Sequence, residues 1–182
     1  MRGPLSQDDV EAAGGHHSPE GHRALAETVL GWAADPHPDD EVTPAELLVD
    51  AGWHLDLAGD TDAALAVFRR ALEAGPTVPD ARCSMAAVLL ASERTAEARE
   101  VADELRRAKP PIATCSAMAG VFETAGDLAQ AARWTAIGLA RLELSTDFDV
   151  VDGEAELLLT TRARVRAAQG LPPDRPPVEP AP

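Results

Sequence analysis

The residues of this sequence that could bind a metal ion are concentrated near its beginning. His16, His17 and His22 lie close to Asp8 and Asp9, and zinc accepts imidazole nitrogens and carboxylate oxygens as ligands. Glycines interrupt this segment, however, and a metal site needs ligands that neighbouring contacts hold in place. The sequence therefore favours a polar tail over a metal site, and we expect neither a metal ion nor a cofactor.

His54 raises the question of general acid–base catalysis, because carboxylates precede and follow it at Asp50 and Asp56. Asp50 and His54 are four residues apart, which places them on the same side of a helix. A surface pair with this spacing contributes about 0.2–0.5 kcal/mol to helix stability and needs no substrate to explain it. We therefore expect no enzyme, and an enzyme or enzyme accessory built on His54 is the least favoured alternative.

The two cysteines, Cys83 and Cys115, lie 32 residues apart and form no CxxC pair. Isolated thiols of this kind are typical of proteins in a reducing compartment, where they pack as small apolar side chains. Close packing is therefore favoured over a regulatory disulfide between them. The sequence also lacks a glycine-rich phosphate loop and the GxSxG and HExxH motifs, so no hydrolase or nucleotide site is indicated.

The overall composition limits the partners that the chain can bind. Its 182 residues carry a formal net charge of −15 and a pI near 4.6, which disfavours nucleic acid because phosphate binding needs clustered Lys and Arg. No apolar run reaches the roughly 18 residues of a membrane span, and the first residues lack the apolar core of a signal peptide. We therefore expect a cytoplasmic protein that contacts neither nucleic acid nor membrane.

Helical periodicity, capping residues and Gly or Pro stops predict an all-α chain of about eight helices. The expected ranges are 19–34, 44–58, 62–74, 79–92, 95–108, 111–124, 128–143 and 153–169. Ser18 is expected to cap the first helix, and Thr43 with Glu46 forms a capping box at the second. The resulting regions are a disordered segment over 1–17, one helical domain over 18–170 and a proline-rich tail over 171–182.

A 34-residue interval runs through the middle of the sequence. It separates Ala64 from Ala98 and Gly59 from Glu93, and Ala131 follows Ala98 after 33 residues. A period of this length, with a small residue in every second helix, is typical of stacked helix–turn–helix repeats. The interval therefore predicts pairs of antiparallel helices, and it favours a surface that binds another chain over a reaction centre.

Residues 45–143 resemble tetratricopeptide repeats. The first unit carries the small, turn and aromatic residues of the family, namely Gly52, Gly59, Asp60, Ala64, Phe68, Ala71 and Pro76. The resemblance implies a right-handed solenoid of helical hairpins, which a leading helix over 19–34 and a trailing helix over 153–169 would cap. The implied repeats span about 45–78, 79–111 and 112–144.

The sequence departs from the family pattern at three places. Arg82 stands where the family prefers a large apolar residue, and Gly138 replaces the usual alanine. Glu93-Arg94 replaces a Gly-Asp turn. Without glycine, that turn still needs an unusual backbone conformation, so the helix boundary there is less sharply indicated.

A weaker similarity extends to bacterial repeat proteins, some of which carry a SecA-type zinc-binding tail. It rests on residues 125–142 and 162–174. No cysteine follows Cys115 in this sequence, so the zinc module of those proteins is not expected here.

By the resemblance to tetratricopeptide repeats, the first helix of each pair lines an inner groove. The groove positions in this sequence are Glu46, Val49, Trp53, Asp56, Leu57, Asp80, Cys83, Ala87, Leu90, Ala91, Ser116, Gly120, Glu123 and Thr124. Family members that bind the C-terminal carboxylate of a peptide do so with Lys, Arg and Asn, and these types are missing from the groove positions. The acidic and apolar groove therefore favours a basic or apolar peptide as partner.

The expected function is a non-enzymatic interaction module or scaffold that holds a peptide or helix in this groove. A structural repeat protein that associates with itself is the alternative. Trp53 is the most informative groove residue, because large aromatic side chains anchor many interfaces. Two arrangements stay open: Trp53 is exposed in the groove as an anchor, or the leading helix covers it so that it packs near Trp32.

Overall fold

The computed structural model describes residues 2–13, 18–144 and 151–173, and the regular structure within these ranges is α-helical. The helices of the described residues are α1 (Gln7–Ala13), α2 (Pro19–Ala34), α3 (Pro44–Leu57), α4 (Thr61–Ala74), α5 (Arg82–Ala91), α6 (Thr95–Arg107), α7 (Ile112–Thr124), α8 (Leu128–Leu144) and α9 (Val151–Ala168). The all-α fold expected from the sequence is confirmed. Each of the eight expected helices is present, and α1 is an addition to them.

The chain divides into two compact units, Met1–Ala108 and Lys109–Pro182, where the sequence predicted one helical domain. In the first unit α2 packs against α3, α3 against α4, and α5 against α6. In the second unit α8 packs against both α7 and α9, and α7 also contacts α9. From α2 onward, helices that are consecutive in the sequence are thus neighbours within each unit, as short connections favour.

Alanine supplies much of the core of the first unit. Ala51, Ala64, Ala71 and Ala98 are fully buried, together with the ring of Phe68. A methyl side chain lets two helix backbones approach closely, so larger residues at these positions would overpack the core. The 34-residue interval from Ala64 to Ala98 therefore marks equivalent buried positions of α4 and α6.

The turn inside each hairpin repeats with the same backbone geometry. Gly59, Glu93 and Gly126 follow α3, α5 and α7, and their φ angles are 84°, 61° and 76°. In each turn the next residue donates its N–H to a carbonyl five residues back, at 2.9, 2.8 and 3.0 Å. Glycine adopts this left-handed conformation without a steric penalty, whereas Glu93 adopts it at a cost. The unusual backbone expected at the Glu93 turn is confirmed.

Two helices begin at the capping residues that the sequence indicated. The Thr43 hydroxyl accepts from the N–H of Glu46 at 3.2 Å, and the Glu46 carboxylate accepts from the N–H of Thr43 at 2.8 Å. These two bonds complete the capping box of α3. At the start of α2, the Ser18 hydroxyl accepts from the N–H of Gly21 at 3.0 Å. Local side-chain chemistry therefore sets both helix starts.

The first residues of the chain pack against the rest of the first unit, whereas the sequence predicted a disordered segment over 1–17. It forms α1, and Leu5 is buried. The Asp40 carboxylate accepts from the Arg2 guanidinium at 2.7 and 2.5 Å and from the N–H of Leu5 at 2.7 Å. The hydrogen bond from Arg2 is the main reason why the pKa of Asp40 is well below its usual range. Residues 14–17 of that segment and residues 174–182 of the expected proline-rich tail lie outside the described residues.

Candidate interaction surface

An apolar stripe runs along one side of α3. Val49, Trp53 and Leu57 are spaced four residues apart and therefore lie on one face of the helix. Val49 is half-buried, whereas 36% of Trp53 and 57% of Leu57 are exposed. We refer to this stripe, together with the acidic residues Glu46 and Asp56 on the same face, as the Trp53 surface.

Packing of α4 on α3 fixes the position of Trp53. Phe68 of α4 is fully buried, and its ring meets the Trp53 ring edge-on, with the ring centroids 5.9 Å apart and the planes at 70°. The neighbouring Gly52 makes room for this ring, because a Cβ at Gly52 would lie only 2.3 Å from Phe68 Cε1. The absence of a side chain at Gly52 thus lets Phe68 pack between α3 and α4, where its ring contacts the buried side of the Trp53 indole.

The leading helix α2 contacts α3 at the residue next to Trp53. His22 of α2 and His54 of α3 place their Nδ1 atoms 3.0 Å apart. Trp53 itself stays partly exposed, and Trp32 of α2 is half-buried. Of the two arrangements that the sequence left open, the exposure of Trp53 fits the one in which α2 does not cover it.

Carboxylates give the Trp53 surface a negative border. Glu46 is exposed, and the half-buried Asp56 accepts a hydrogen bond from the Thr61 hydroxyl at 3.4 Å. Asp50 lies beside this face, where burial raises the pKa of its carboxyl and the nearby His54 opposes that shift. An apolar stripe bordered by carboxylates suits a ligand that combines apolar and basic groups.

The second hairpin offers fewer accessible groove residues than the sequence predicted. α5 begins at Arg82, three residues later than expected, where Asp80 accepts from the Arg82 N–H at 2.9 Å and from its guanidinium at 2.9 and 2.8 Å. Cys83 is buried, and Ala87 and Leu90 are half-buried. Asp80 therefore faces Arg82 rather than a free groove, and Cys83 belongs to the core.

Two of the groove positions expected in the second unit, Ser116 and Glu123, are taken up by packing or by an ion pair within that unit. Ser116 is buried, and Glu123 accepts two hydrogen bonds from Arg164 of α9, at 2.7 and 2.8 Å. The bonds from Arg164 lower the pKa of Glu123. The other positions of the second unit are Thr124, which is exposed, and Gly120, which is half-buried, and Ala91 at the end of α5 in the first unit is exposed. Ser116 is therefore not accessible to a partner, and Glu123 is accessible only as half of its ion pair with Arg164.

His54 and Asp50 do not form the hydrogen-bonded pair that acid–base catalysis uses. Nε2 of His54 lies 3.8 Å from Oδ2 of Asp50, beyond hydrogen-bond distance. Within the described ranges, no group of three or more His, Cys, Asp or Glu side chains is placed to hold a metal ion. His16 and His17 of the expected polar tail lie outside those ranges. The histidine that remains from that set, His22, faces His54 instead.

Both cysteines are buried and free of disulfides. Burial raises the pKa of the Cys115 thiol, which disfavours the thiolate that nucleophilic or redox chemistry needs.

Among the described residues, none of the helices combines the length and the apolar character of a membrane span.

Comparison with known families decides the class of these hairpins. Residues 57–119, from the end of α3 into α7, match the family model for the tetratricopeptide repeat. Residues 57–119 carry tetratricopeptide repeats. No curated protein and no solved structure matches the chain significantly. Tetratricopeptide repeats are in general protein-interaction modules and generally lack enzymatic activity, so the match supports a role in protein binding.

The tetratricopeptide-repeat match includes the Glu93 turn, so the loss of glycine at this position does not remove the repeat. It begins at residue 57, after both His22 and His54 in the sequence. The contact between His22 and His54 was missed by sequence reasoning, because the two residues lie 32 positions apart and no motif joins them. The one clue in the sequence was that both residues are histidines, of which the chain has 5.

Single-tryptophan variants test the exposure of Trp53. With Trp32 and Trp134 replaced by Phe, we expect acrylamide to quench Trp53 fluorescence several-fold more strongly than it quenches Trp134 in the matched Trp32→Phe/Trp53→Phe variant. The reason is that only 2% of Trp134 is exposed. The measurement is the Stern–Volmer constant of each variant, and equal constants would contradict an accessible Trp53.

Proposed function

We propose that this chain is a non-enzymatic interaction module that binds a basic and apolar peptide or helix at the Trp53 surface. The observation that supports the proposal is the exposed Trp53 ring, which the buried Phe68 supports from behind. Large aromatic side chains carry much of the binding energy in many interfaces, because they bury a large area at a small cost in conformational entropy.

The charge of the chain favours a basic partner. The net charge is −15, and Glu46 and Asp56 border the apolar stripe of the Trp53 surface. Complementary charge accelerates association and disfavours acidic partners, and the effect weakens as salt screens it. We place the module in the cytoplasm, where its two free cysteines would stay reduced.

Replacement of Trp53 tests the proposal. The probe is a fluorescein-labelled helical peptide with Leu on one face and Arg on the other, and its binding is followed by fluorescence anisotropy. Trp53→Ala is expected to weaken binding about tenfold to thirtyfold, which corresponds to a loss of roughly 1.4–2 kcal/mol from an aromatic anchor. Leu159→Ala is the matched control, because Leu159 is 53% exposed but lies on α9 in the second unit, and its affinity should stay within about twofold of wild type.

A second peptide, with Glu in place of Arg, separates charge selection from apolar contact. We expect it to bind at least about tenfold more weakly at low salt, because the carboxylates of the Trp53 surface would repel it. Equal binding of both peptides, or unchanged affinity in Trp53→Ala, would show the proposal to be wrong. Sedimentation velocity gives the alternative outcome: a concentration-dependent dimer that Trp53→Ala abolishes would favour a structural, self-associating protein.

A further inference from the structure

Two histidines from different helices face one another inside the first unit. Nδ1 of His22 on α2 and Nδ1 of His54 on α3 lie 3.0 Å apart, which is a hydrogen-bond distance. The ring centroids are 5.2 Å apart and the ring planes differ by 22°. With so large a centroid separation and so short an N–N distance, both nitrogens must lie between the two centroids. The rings therefore meet nitrogen to nitrogen, as an N–H···N hydrogen bond requires.

This hydrogen bond exists only while one of the two facing nitrogens keeps its lone pair. Oδ2 of Asp50 lies 3.8 Å from Nε2 of His54, too far for a hydrogen bond, but its negative charge favours a proton on that nitrogen, with Nδ1 of His54 as the acceptor. A first added proton can bind the far nitrogen of His22 without breaking the bond. A second must occupy the lone pair of His54, and it would set two N–H groups and two positive charges against each other.

The surroundings of the pair favour one positive charge on it and not two. The His54 side chain is 12% exposed, so little water separates the two rings. His54 lines a cavity of about 350 Å³ together with three carboxylates, Glu11 of α1 and Glu46 and Asp50 of α3. The charge of Arg23 on α2 is directed elsewhere, since it lies 3.6 Å from Asp60. The carboxylates attract the first proton, but they do not relieve the contact between two N–H groups at 3.0 Å.

We propose that His22 and His54 form a proton-sensitive latch, which holds α2 on α3 at neutral pH and releases it on mild acidification. An imidazole in an unfolded chain binds its second proton at about pH 6.5, so both histidines of the unfolded chain are protonated just below that pH. The folded pair then binds one proton fewer than the unfolded chain. Stability is therefore full above about pH 6.5 and falls as the pH drops, by up to about tenfold in the unfolding equilibrium constant per pH unit.

The decisive comparison is between wild type and His22→Asn, because the Asn amide carries no titrating group and can turn its oxygen toward His54, where it accepts a hydrogen bond from protonated Nδ1. From pH 7.5 to about pH 5.5, the unfolding constant in urea should rise about tenfold more in wild type than in His22→Asn. Hydrogen exchange should show α2 amides losing protection before α4 amides in wild type alone. His37→Asn is the control and should follow wild type, since Nδ1 of His37 instead accepts from the N–H of Asp39 at 3.2 Å.

Three outcomes would overturn the latch. The first is an equal pH response in wild type and His22→Asn, and the second is a pair of fully protonated rings in ¹H–¹⁵N spectra while α2 amides stay protected. The third is a stoichiometric shift of both Nδ1 signals by Zn²⁺ at about pH 7.5, which would identify the pair as metal ligands. His54→Asn should reproduce the weaker pH response, which guards against a folding defect peculiar to His22→Asn.

Discussion

Gly52→Ala is expected to lower the free energy of unfolding of the first unit by about 1–3 kcal/mol, although alanine is the better helix former. The added Cβ would lie 2.3 to 2.8 Å from three atoms of the Phe68 ring. That ring is fully buried and packs against Trp53, so it has little space into which it can move. Urea unfolding, followed by far-UV circular dichroism and tryptophan fluorescence, measures the effect.

Gly31→Ala is the matched control for this overpacking. Gly31 lies on an exposed face of α2, and a Cβ there would meet nothing within 4 Å. The control should therefore stabilise the chain by about 0.5–1 kcal/mol, the usual gain from replacing glycine inside a helix. Opposite signs for the two substitutions would separate the steric effect from helix propensity. A Gly52→Ala chain as stable as Gly31→Ala would contradict the close approach of Phe68.

A second substitution at Phe68 shows whether the ring causes the loss. Phe68→Leu removes the atoms that the new Cβ would meet, so Gly52→Ala/Phe68→Leu should be more stable than the sum of the two single effects predicts. The same variants also bear on function, because Phe68 supports Trp53 from behind. We expect Gly52→Ala to weaken binding of the basic probe peptide as well, since the displaced ring moves the indole.

The hairpins could be predicted from the sequence because their causes are local and repeated. Small residues at a fixed interval, capping residues such as Thr43, and turn residues at Gly59 and Gly126 all act within a few positions of themselves. Even the Glu93 turn, which lacks glycine, keeps the left-handed backbone, because the helices on both sides require it. Capping residues, turn residues and a repeated interval can all be recognised in one sequence without knowledge of distant contacts.

The N-terminal segment could not be predicted, because distant and single contacts hold it. α1 has seven residues and buries none of them, so it leaves no apolar stripe in the sequence. The anchor is instead the pair of Arg2 with Asp40, 38 residues away, together with one buried side chain, Leu5. The contact between His22 and His54 escaped prediction for the same reason, since neither a period nor a motif connects them.

The buried residues of α8 are Ala131, Trp134, Thr135 and Gly138, which lie on one face of the helix. Trp134, next to Thr135, was not assigned to the core, yet it is one of its largest fully buried side chains. This face meets both α7 and α9, since Gly138 lies against Cys115 of α7 and Leu158 of α9.

The packing of α8 against both α7 and α9 gives a physical reason for glycine at Gly138, where the resemblance led us to expect alanine, and it gives the second large effect. A Cβ at Gly138 would lie 2.8 and 2.9 Å from the two methyl groups of Leu158 on α9, and 3.2 Å from the Cβ of Cys115 on α7. An alanine at this position would therefore displace the methyl groups of Leu158 and make a tight contact with Cys115. Gly138→Ala should lower the free energy of unfolding of the second unit by about 1–3 kcal/mol, measured in urea through the fluorescence of the buried Trp134.

Two further variants show whether Leu158 is the cause. Gly120→Ala on α7, where a Cβ would meet nothing within 4 Å, should be stabilising by up to about 1 kcal/mol. Leu158→Ala alone should cost about 2–5 kcal/mol, because it leaves a cavity at a fully buried position. In Gly138→Ala/Leu158→Ala the new methyl group occupies part of that cavity, so the double variant should lose less stability than the two single losses together. Strict additivity would mean that Leu158 does not require the glycine, and the departure at Gly138 would then need a cause on the α7 side, at Cys115.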